Sequence, residues 1–202
     1  MGRTSDANKR LMDAALSLMW EESYGAVTID DICKRADVRK GSFYYFFSSK
    51  SDLAVQALER MWQEQRLKLD VIFSASVSPI DRIRGRCDSV YEFQLEMKKK
   101  YGRVLGCPLC SLGSEICHRD AAISDKVREI LEHKICYWES AIRDAQRQGL
   151  MPESDSRVKA RCAMAFFEGM IAQARLYDDV ERLKDLADQM CEHLRVGVPL
   201  AA

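Results

Sequence analysis

The sequence predicts an all-α protein, and three observations lead to that class. The 202 residues include only four prolines and ten glycines, so few positions interrupt regular structure. Apolar residues recur at intervals of three and four along most of the chain, whereas the alternation typical of strands hardly occurs. Hydrophobic residues make up 47% of the chain, which is enough for a full core. We therefore expect helices throughout.

Charge and cysteine usage restrict the class further. The 31 basic and 31 acidic side chains leave no net charge, so any affinity for nucleic acid must come from a local patch. The N-terminal MGRTSDANKR lacks the apolar stretch of a signal peptide, and no apolar run is long enough to span a membrane. Eight cysteines in a chain without an export signal favour reduced thiols. We expect a cytoplasmic protein with no membrane contact.

Three helices are predicted before residue 50. The first runs from Asn8 to about Tyr24, and the second follows Thr28, whose hydroxyl can cap it. Asp37 and Val38 form a break too short to be a linker but suitable for the corner of a helix-turn-helix motif. The third helix starts near Arg39.

The segment from Cys33 to Lys50 has the composition of a DNA-reading surface. It holds five lysines or arginines against one acidic residue, Asp37, and five consecutive aromatic residues, Phe43 to Phe47. Basic, hydroxyl and aromatic side chains on a helix suit the major groove. The alternative is a helical hairpin with a solvated basic face. The aromatic run argues against it, because such a run needs both a core and a ligand.

Six further helical segments follow. They are a long helix from Lys50 to about Phe73, one from Pro79 to Lys100, a short one in CPLCSLGSEICHRD, and helices over Ala121–Gln148, Asp155–Tyr177 and Val180–Leu194. The helix after Asp155 is apolar nearly all round in CAMAFFEGMIAQA, so we expect burial against its own core and against a partner. The last two helices of each subunit would then form a four-helix interface of a homodimer.

The segment from Thr28 to Leu53 resembles the DNA-binding motif of TetR-type transcriptional regulators. The matching residues are Thr28, Ile29, Asp31, Ile32, Ala36, Val38, Gly41, Phe43, Tyr44, Phe47, Lys50 and Leu53. Cys33, Asp37, Arg39 and Phe46 depart from the motif, and Asp37 must take a turn conformation usually supplied by glycine. The resemblance implies a three-helix DNA-binding domain in residues 1–48 and a helical ligand-binding and dimerisation domain in residues 49–202.

The resemblance also implies the DNA-contacting residues. Thr28 and Lys50 are expected on phosphates and Tyr44 on the backbone of the operator, with Gly41 in the same surface. The residues expected at base edges are Arg39, Lys40, Ser42, Phe43 and Tyr45. A dimer carries two such surfaces, so the double-stranded operator should be pseudo-palindromic. We expect repression, released by an effector.

The tract from Gly106 to His118 is rich in cysteine, and three interpretations stay open. Cys107 precedes Pro108 at a helix start, where the helix dipole stabilises a thiolate, and Cys110 and Cys117 follow on one face. The tract resembles the Gly-Cys segment of electrophile-sensing TetR-type repressors, which implies a thiol sensor. The cysteines could instead be packing residues. A metal site with His118 has weak support from a single C-x-x-C, so we predict no metal and no cofactor.

An organic effector could also bind between helices in the second domain. The candidate lining residues, each of which could equally be plain core, are Tyr91, Phe93, Met97, Tyr137, Trp138, Phe166, Phe167 and Met170. The chain has no P-loop, G-x-G-x-x-G, G-x-S-x-G or H-E-x-x-H motif, so we do not expect an enzyme. The alternative function is a cytosolic redox-active thiol protein without operator specificity.

Overall fold

The computed structural model describes residues 2–197, with side chains from residue 6 onward. These residues contain no strand, and the predicted all-α class is confirmed. The α-helices are α1 (Gly2–Glu21), α2 (Ile29–Ala36), α3 (Lys40–Phe46), α4 (Lys50–Ile72), α5 (Pro79–Tyr101), α6 (Pro108–Ile116), α7 (Ala121–Arg147), α8 (Ser156–Leu176) and α9 (Leu186–His193). A 3-10 helix at Val180–Leu183 precedes α9.

Most helix starts agree with the local signals in the sequence. Thr28 caps α2 in a capping box: its hydroxyl accepts from the Asp31 N–H at 3.2 Å, and the Asp31 carboxylate accepts from the Thr28 N–H at 2.9 Å. Pro79 stands in the first turn of α5, and the Ser78 hydroxyl accepts from the Asp81 N–H. Three lysines, Lys98 to Lys100, fill the last turn of α5, where cations are favourable.

The prediction of one continuous helix from Val180 to Leu194 is wrong. The carboxylate of Asp179 accepts from the Glu181 N–H at 3.1 Å and starts the short 3-10 helix. Asp185 then leaves the helical conformation, with φ −100° and ψ 16°, before α9 begins. The Asp179 side chain competes with the helix for a backbone N–H, which explains the 3-10 start, whereas the Asp185 side chain makes no capping hydrogen bond at the second break.

The described chain divides into two compact units. The first contains residues 2–64 and Pro108–Ile130, and the second contains Gln65–Cys107 and residues 131–197. The domain boundary predicted at residue 48 stays a prediction. In the first unit α1 packs against α2, α3 and α6 around the fully buried Leu11, Ile32 and Phe43.

The second unit is built around α5 and α8. α5 packs against α9, and α8 packs against the 3-10 helix, with Ile83, Trp138 and Phe167 in the core. Arg82 is also buried but fully partnered: its guanidinium donates to Asp144 at 2.7 Å and to the carbonyls of Val77 and Ala75. Among the helices that the structure describes, none has the length and apolarity needed to cross a membrane.

Candidate functional site

The corner between α2 and α3 is a tight left-handed turn. Asp37 adopts φ 52° and ψ 51°, so the prediction that aspartate replaces a glycine conformation here is confirmed. Its N–H donates to the Lys34 carbonyl at 3.2 Å, and the Val38 N–H donates to the Cys33 carbonyl at 3.0 Å. These bonds satisfy the carbonyls at the end of α2 and set the direction in which α3 starts.

The outer face of α3 is exposed and carries two tyrosines. Tyr44 is 57% exposed and Tyr45 is 75% exposed, although each ring also contacts its neighbour, Phe43 and Phe46 respectively, edge-on. Arg39 and Lys40 are exposed beside them, and Ser42 is half-buried. A methyl group at Gly41 would meet no atom within 4 Å, so the backbone is open to close approach there.

Phe43 corrects one sequence-based assignment. Its side chain has no exposed surface and lies with its ring centroid 5.7 Å from that of Phe47, which is also buried. The prediction that Phe43 faces base edges is therefore wrong. Phe43 instead anchors α3 to the core, and its neighbours Tyr44 and Tyr45 point outward as a consequence.

The basic patch is smaller than a count of charges indicates. Arg35 pairs with Glu21 at 3.1 Å, and Lys40 pairs with Asp30 at 2.8 Å. Lys34 and Arg39 make no ion pair within the described part of the chain. Both line an open groove of about 1160 Å³ between α1, the α2–α3 turn and α3, together with Ser42 and Tyr45. Free cations beside exposed hydrogen-bonding groups suit a polyanion such as DNA.

Lys50 and Thr28 both have structural partners in addition to their predicted phosphate contacts. The Lys50 ammonium donates to the carbonyls of Tyr24 and Val27, each at 2.8 Å, and lies 4.0 Å from the Tyr24 ring centroid. Burial lowers the pKa of Lys50. Thr28 is exposed while it caps α2. Contact of either residue with phosphate stays a prediction.

The cysteine tract begins at the start of α6. Cys107 immediately precedes α6 and is half-buried, as is Cys110 within the helix. Cys117 lies one residue beyond the end of α6 and is exposed, although its N–H still donates to the Gly113 carbonyl. Whether these thiols sense an effector stays a prediction.

Three of the predicted effector residues come together in the second unit. Tyr137 and Trp138 line one small cavity, and the Phe167 ring centroid lies 5.5 Å from that of Trp138. Phe167 and the other five predicted residues do not line it. Tyr91 reaches Glu181, Phe93 is exposed, Phe166 stacks on His193, and Met97 and Met170 are half-buried.

Sequence reasoning missed the two cations of this cavity, Arg86 and Lys134. Arg86 stands three residues after Ile83, and Lys134 stands four residues before Trp138, so both occupy the helical spacing of the apolar stripes. A cation at the spacing of an apolar stripe was the signal in the sequence that could have identified them as residues facing the interior.

Two family models match the chain. The model of bacterial regulatory proteins of the tetR family matches residues 11–57, and the model of the tetracyclin repressor-like C-terminal domain matches residues 79–190. The chain therefore belongs to the TetR family of bacterial regulatory proteins. It is a DNA-binding transcriptional regulator, with the helix-turn-helix of α2 and α3 inside the first matched region.

Similar proteins and similar solved structures agree with this family assignment. The transcriptional regulator AcuR of Cereibacter sphaeroides is 30% identical over 84% of this chain and 77% of its own length. The transcriptional repressor NemR of Escherichia coli is 26% identical over 55% of each chain. A TetR-type regulator from Agrobacterium tumefaciens shares the fold with a TM-score of 0.85 at 19% identity, covering 95% of this chain and 99% of its own.

Proposed function

We propose that this chain is a homodimeric repressor that binds a pseudo-palindromic operator in the cytoplasm and leaves it when an effector binds. The observation that carries the proposal is the outer face of α3, where Arg39, Tyr44 and Tyr45 are exposed while Phe43 anchors the helix. Two such helices, one from each subunit, would enter successive major grooves. NemR and the similar KstR of Mycolicibacterium smegmatis are named repressors, which supports repression.

The exposed face of α8 supports the dimer. Apolar or small residues recur on it at intervals of three and four and are all exposed: Val158, Cys162, Ala165, Gly169, Ala172 and Leu176. The opposite face holds the buried Met164, Phe167 and Ile171. Small residues let two helix backbones approach closely, so a second copy of α8 is the occupant that fits.

The effector is proposed to be a small organic molecule or an electrophile. The aromatic residues Trp138 and Phe167, beside a cavity of about 10 Å³, are the candidate site for the first, and the half-buried Cys107 before α6 is the candidate site for the second. A solved structure of E. coli NemR, similar in fold with a TM-score of 0.79, is described as the reduced form, so redox state distinguishes forms of that protein.

The proposal is tested by fluorescence anisotropy on DNA flanking the gene for this chain. Arg39→Ala is expected to weaken specific binding by about 10- to 100-fold, because a base contact contributes about 1–3 kcal/mol. Lys99→Ala removes an equally exposed cation from α5 and is expected to leave binding unchanged. Equal binding by wild type and Arg39→Ala would contradict the proposed interface.

The same assay decides the thiol alternative. Wild type and Cys107→Ser are compared with and without N-ethylmaleimide. Release of wild type alone would assign the effector site to Cys107. Retention of both on DNA would leave the cavity as the effector site.

A further inference from the structure

An exposed ion pair joins the two helices of the helix-turn-helix at the start of α3. Lys40 is the first residue of α3, and its ammonium lies 2.8 Å from one carboxylate oxygen of Asp30 and 3.1 Å from the other. Asp30 stands in the first turn of α2. The side chains of Lys40 and Asp30 are 54% and 69% exposed. An acidic group therefore lies on a motif that binds a polyanion, and its presence there needs a reason.

The stability of α2 does not supply that reason. Thr28 and Asp31 form the capping box of α2, and Asp30 takes no part in it. Asp31 already places a negative charge in the first turn, where the helix dipole favours it. An exposed ion pair in water adds little stability. The pair is therefore explained by what it does to Lys40 at the DNA-binding surface.

The other cations of this surface are arranged differently. Lys34 and Arg39 line the open groove beside α3 and make no ion pair within residues 6–197. Unpaired cations gain affinity from any phosphate, because each contact releases counterions whatever the base sequence. The charge of Lys40, in contrast, is compensated by a carboxylate on the neighbouring helix. The hydrogen bond to Asp30 raises the pKa of Lys40, so the ammonium keeps all its donors at neutral pH.

The geometry of the pair leaves Lys40 able to read a base. An ammonium has three N–H donors, and the carboxylate of Asp30 accepts through two oxygens, so one donor is left. In a helix-turn-helix the first residues of the second helix face base edges. A flexible lysine without a carboxylate beside it is free to reach a phosphate instead. Guanine, with its O6 and N7 acceptors in the major groove, is the base that suits a lysine donor.

We propose that Asp30 is a specificity-determining residue of the DNA interface, which keeps Lys40 away from the phosphates and holds its ammonium towards a guanine. Asp30 acts through Lys40 and is thus a positioning residue. The pair lowers affinity for DNA of any sequence and raises the ratio of specific to non-specific binding. This role rests on the proposed function, because it assigns what the start of α3 reads in the operator.

The first test measures binding of the full chain to a duplex of scrambled sequence by fluorescence anisotropy over a range of KCl concentrations. Asp30→Asn removes the charge and keeps the shape. At about 0.1 M KCl it is expected to bind roughly 3- to 10-fold more tightly, because Lys40 then contacts a phosphate. The slope of log affinity against log salt should steepen by about 0.9 for each bound subunit. An unchanged slope would overturn the proposal.

A matched control accounts for the change in net charge. Asp125 is an exposed acid on α7 that pairs with Arg128, so Asp125→Asn also removes one carboxylate from an exposed ion pair. It is expected to leave the affinity for scrambled DNA and the salt slope unchanged. Equal effects of Asp125→Asn and Asp30→Asn would overturn the proposal.

A second background separates positioning of Lys40 from simple repulsion of DNA by Asp30. If Asp30 only repels phosphates, Asp30→Asn strengthens binding whether or not Lys40 is present. In a Lys40→Gln background, Asp30→Asn is expected to change neither the affinity for scrambled DNA nor the salt slope. Both positions are exposed, so neither substitution removes a core contact. The same increase in both backgrounds would overturn the proposal.

DNA flanking the gene for this chain tests the base contact. Lys40→Gln is expected to weaken specific binding by about 10- to 100-fold, with little change in salt slope because the charge of Lys40 is already compensated. Replacement of one G·C pair in each half-site by A·T should weaken binding of wild type and leave that of Lys40→Gln unchanged. Equal sensitivity of both proteins at every G·C pair would overturn the proposal.

The two proposals fail separately. The scrambled duplex reports on the ion pair whether or not the flanking DNA contains an operator. A steeper salt slope of Asp30→Asn, without specific binding of wild type to flanking DNA, would contradict the proposed function and leave the control of Lys40 by Asp30 intact.

Discussion

Glu115 on α6 accepts a hydrogen bond from the backbone N–H of Gly25 at 2.7 Å, across 90 residues of sequence. The second carboxylate oxygen accepts from the Tyr24 N–H at 2.9 Å. From the other direction, Lys50 donates to the carbonyls of Tyr24 and Val27. Two opposite charges therefore hold the N–H and C=O groups of the loop that leads into the helix-turn-helix.

Removal of the carboxylate should loosen this loop. Glu115→Ala is expected to lower the free energy of unfolding by about 1–3 kcal/mol, because two hydrogen bonds to a charged group are lost. Urea denaturation measures the change, and operator affinity should fall with it. Glu96→Ala, an exposed acid on α5, is the control and should change stability by less than about 0.5 kcal/mol. A stable Glu115→Ala chain with normal operator affinity would show that the loop needs no anchor.

At position 37 the glycine variant should be more stable than the alanine variant, which reverses the order usual inside a helix. The φ of 52° at Asp37 is strained for any residue with a Cβ, so Asp37→Gly is expected to be more stable than Asp37→Ala by about 1 kcal/mol. At Lys99 inside α5 the order should be opposite, with alanine more stable than glycine by about 1 kcal/mol. Thermal unfolding of the four variants measures both differences. The same order at both sites would contradict the left-handed turn.

The Cys87 thiol should make the free energy of unfolding depend on pH in the alkaline range. Its folded pKa is raised by burial from 9.0 to about 12, against the opposing effect of Arg86. Stability from the protonated thiol is thus fully present below pH 9 and is lost as the pH rises towards 12, by at most about 1.4 kcal/mol per pH unit. Denaturant unfolding at several pH values should show a flatter profile for Cys87→Ala than for wild type. Cys117→Ala, which removes an exposed thiol, should keep the wild-type slope.

Local sequence signals predicted most of the helices. The features that they did not predict depend on contacts between residues far apart in the sequence. Thr28, Pro79 and the Asp37 turn act within a few residues of sequence, so their roles were readable. Lys50 counted as part of a basic patch, but its partners are carbonyls 23 and 26 residues earlier. Phe43 matched a motif by position alone, and a motif does not state which side of a helix packs inward. The structure decides between the two uses of an aromatic run, packing and DNA contact, and places Phe43 in the core.

The cavity was only partly predictable for a similar reason. Aromatic residues pointed to the right helix, since Tyr137 and Trp138 both line it. The cations were overlooked because Arg86 and Lys134 stand among many charges on their helices, and only the packing of the helices places these two at the cavity. Charge in a sequence says nothing about solvation until packing is known.

The exposed stripe of α8 links assembly to folding. A lone subunit presents Val158, Leu176 and the small residues between them to water, and in the proposed dimer a second copy covers that surface. Mass action then makes the melting temperature rise with protein concentration. The concentration of this regulator in a cell would thus set its folding stability as well as its occupancy of DNA. At low concentration a larger fraction of the chains would be unfolded and open to degradation.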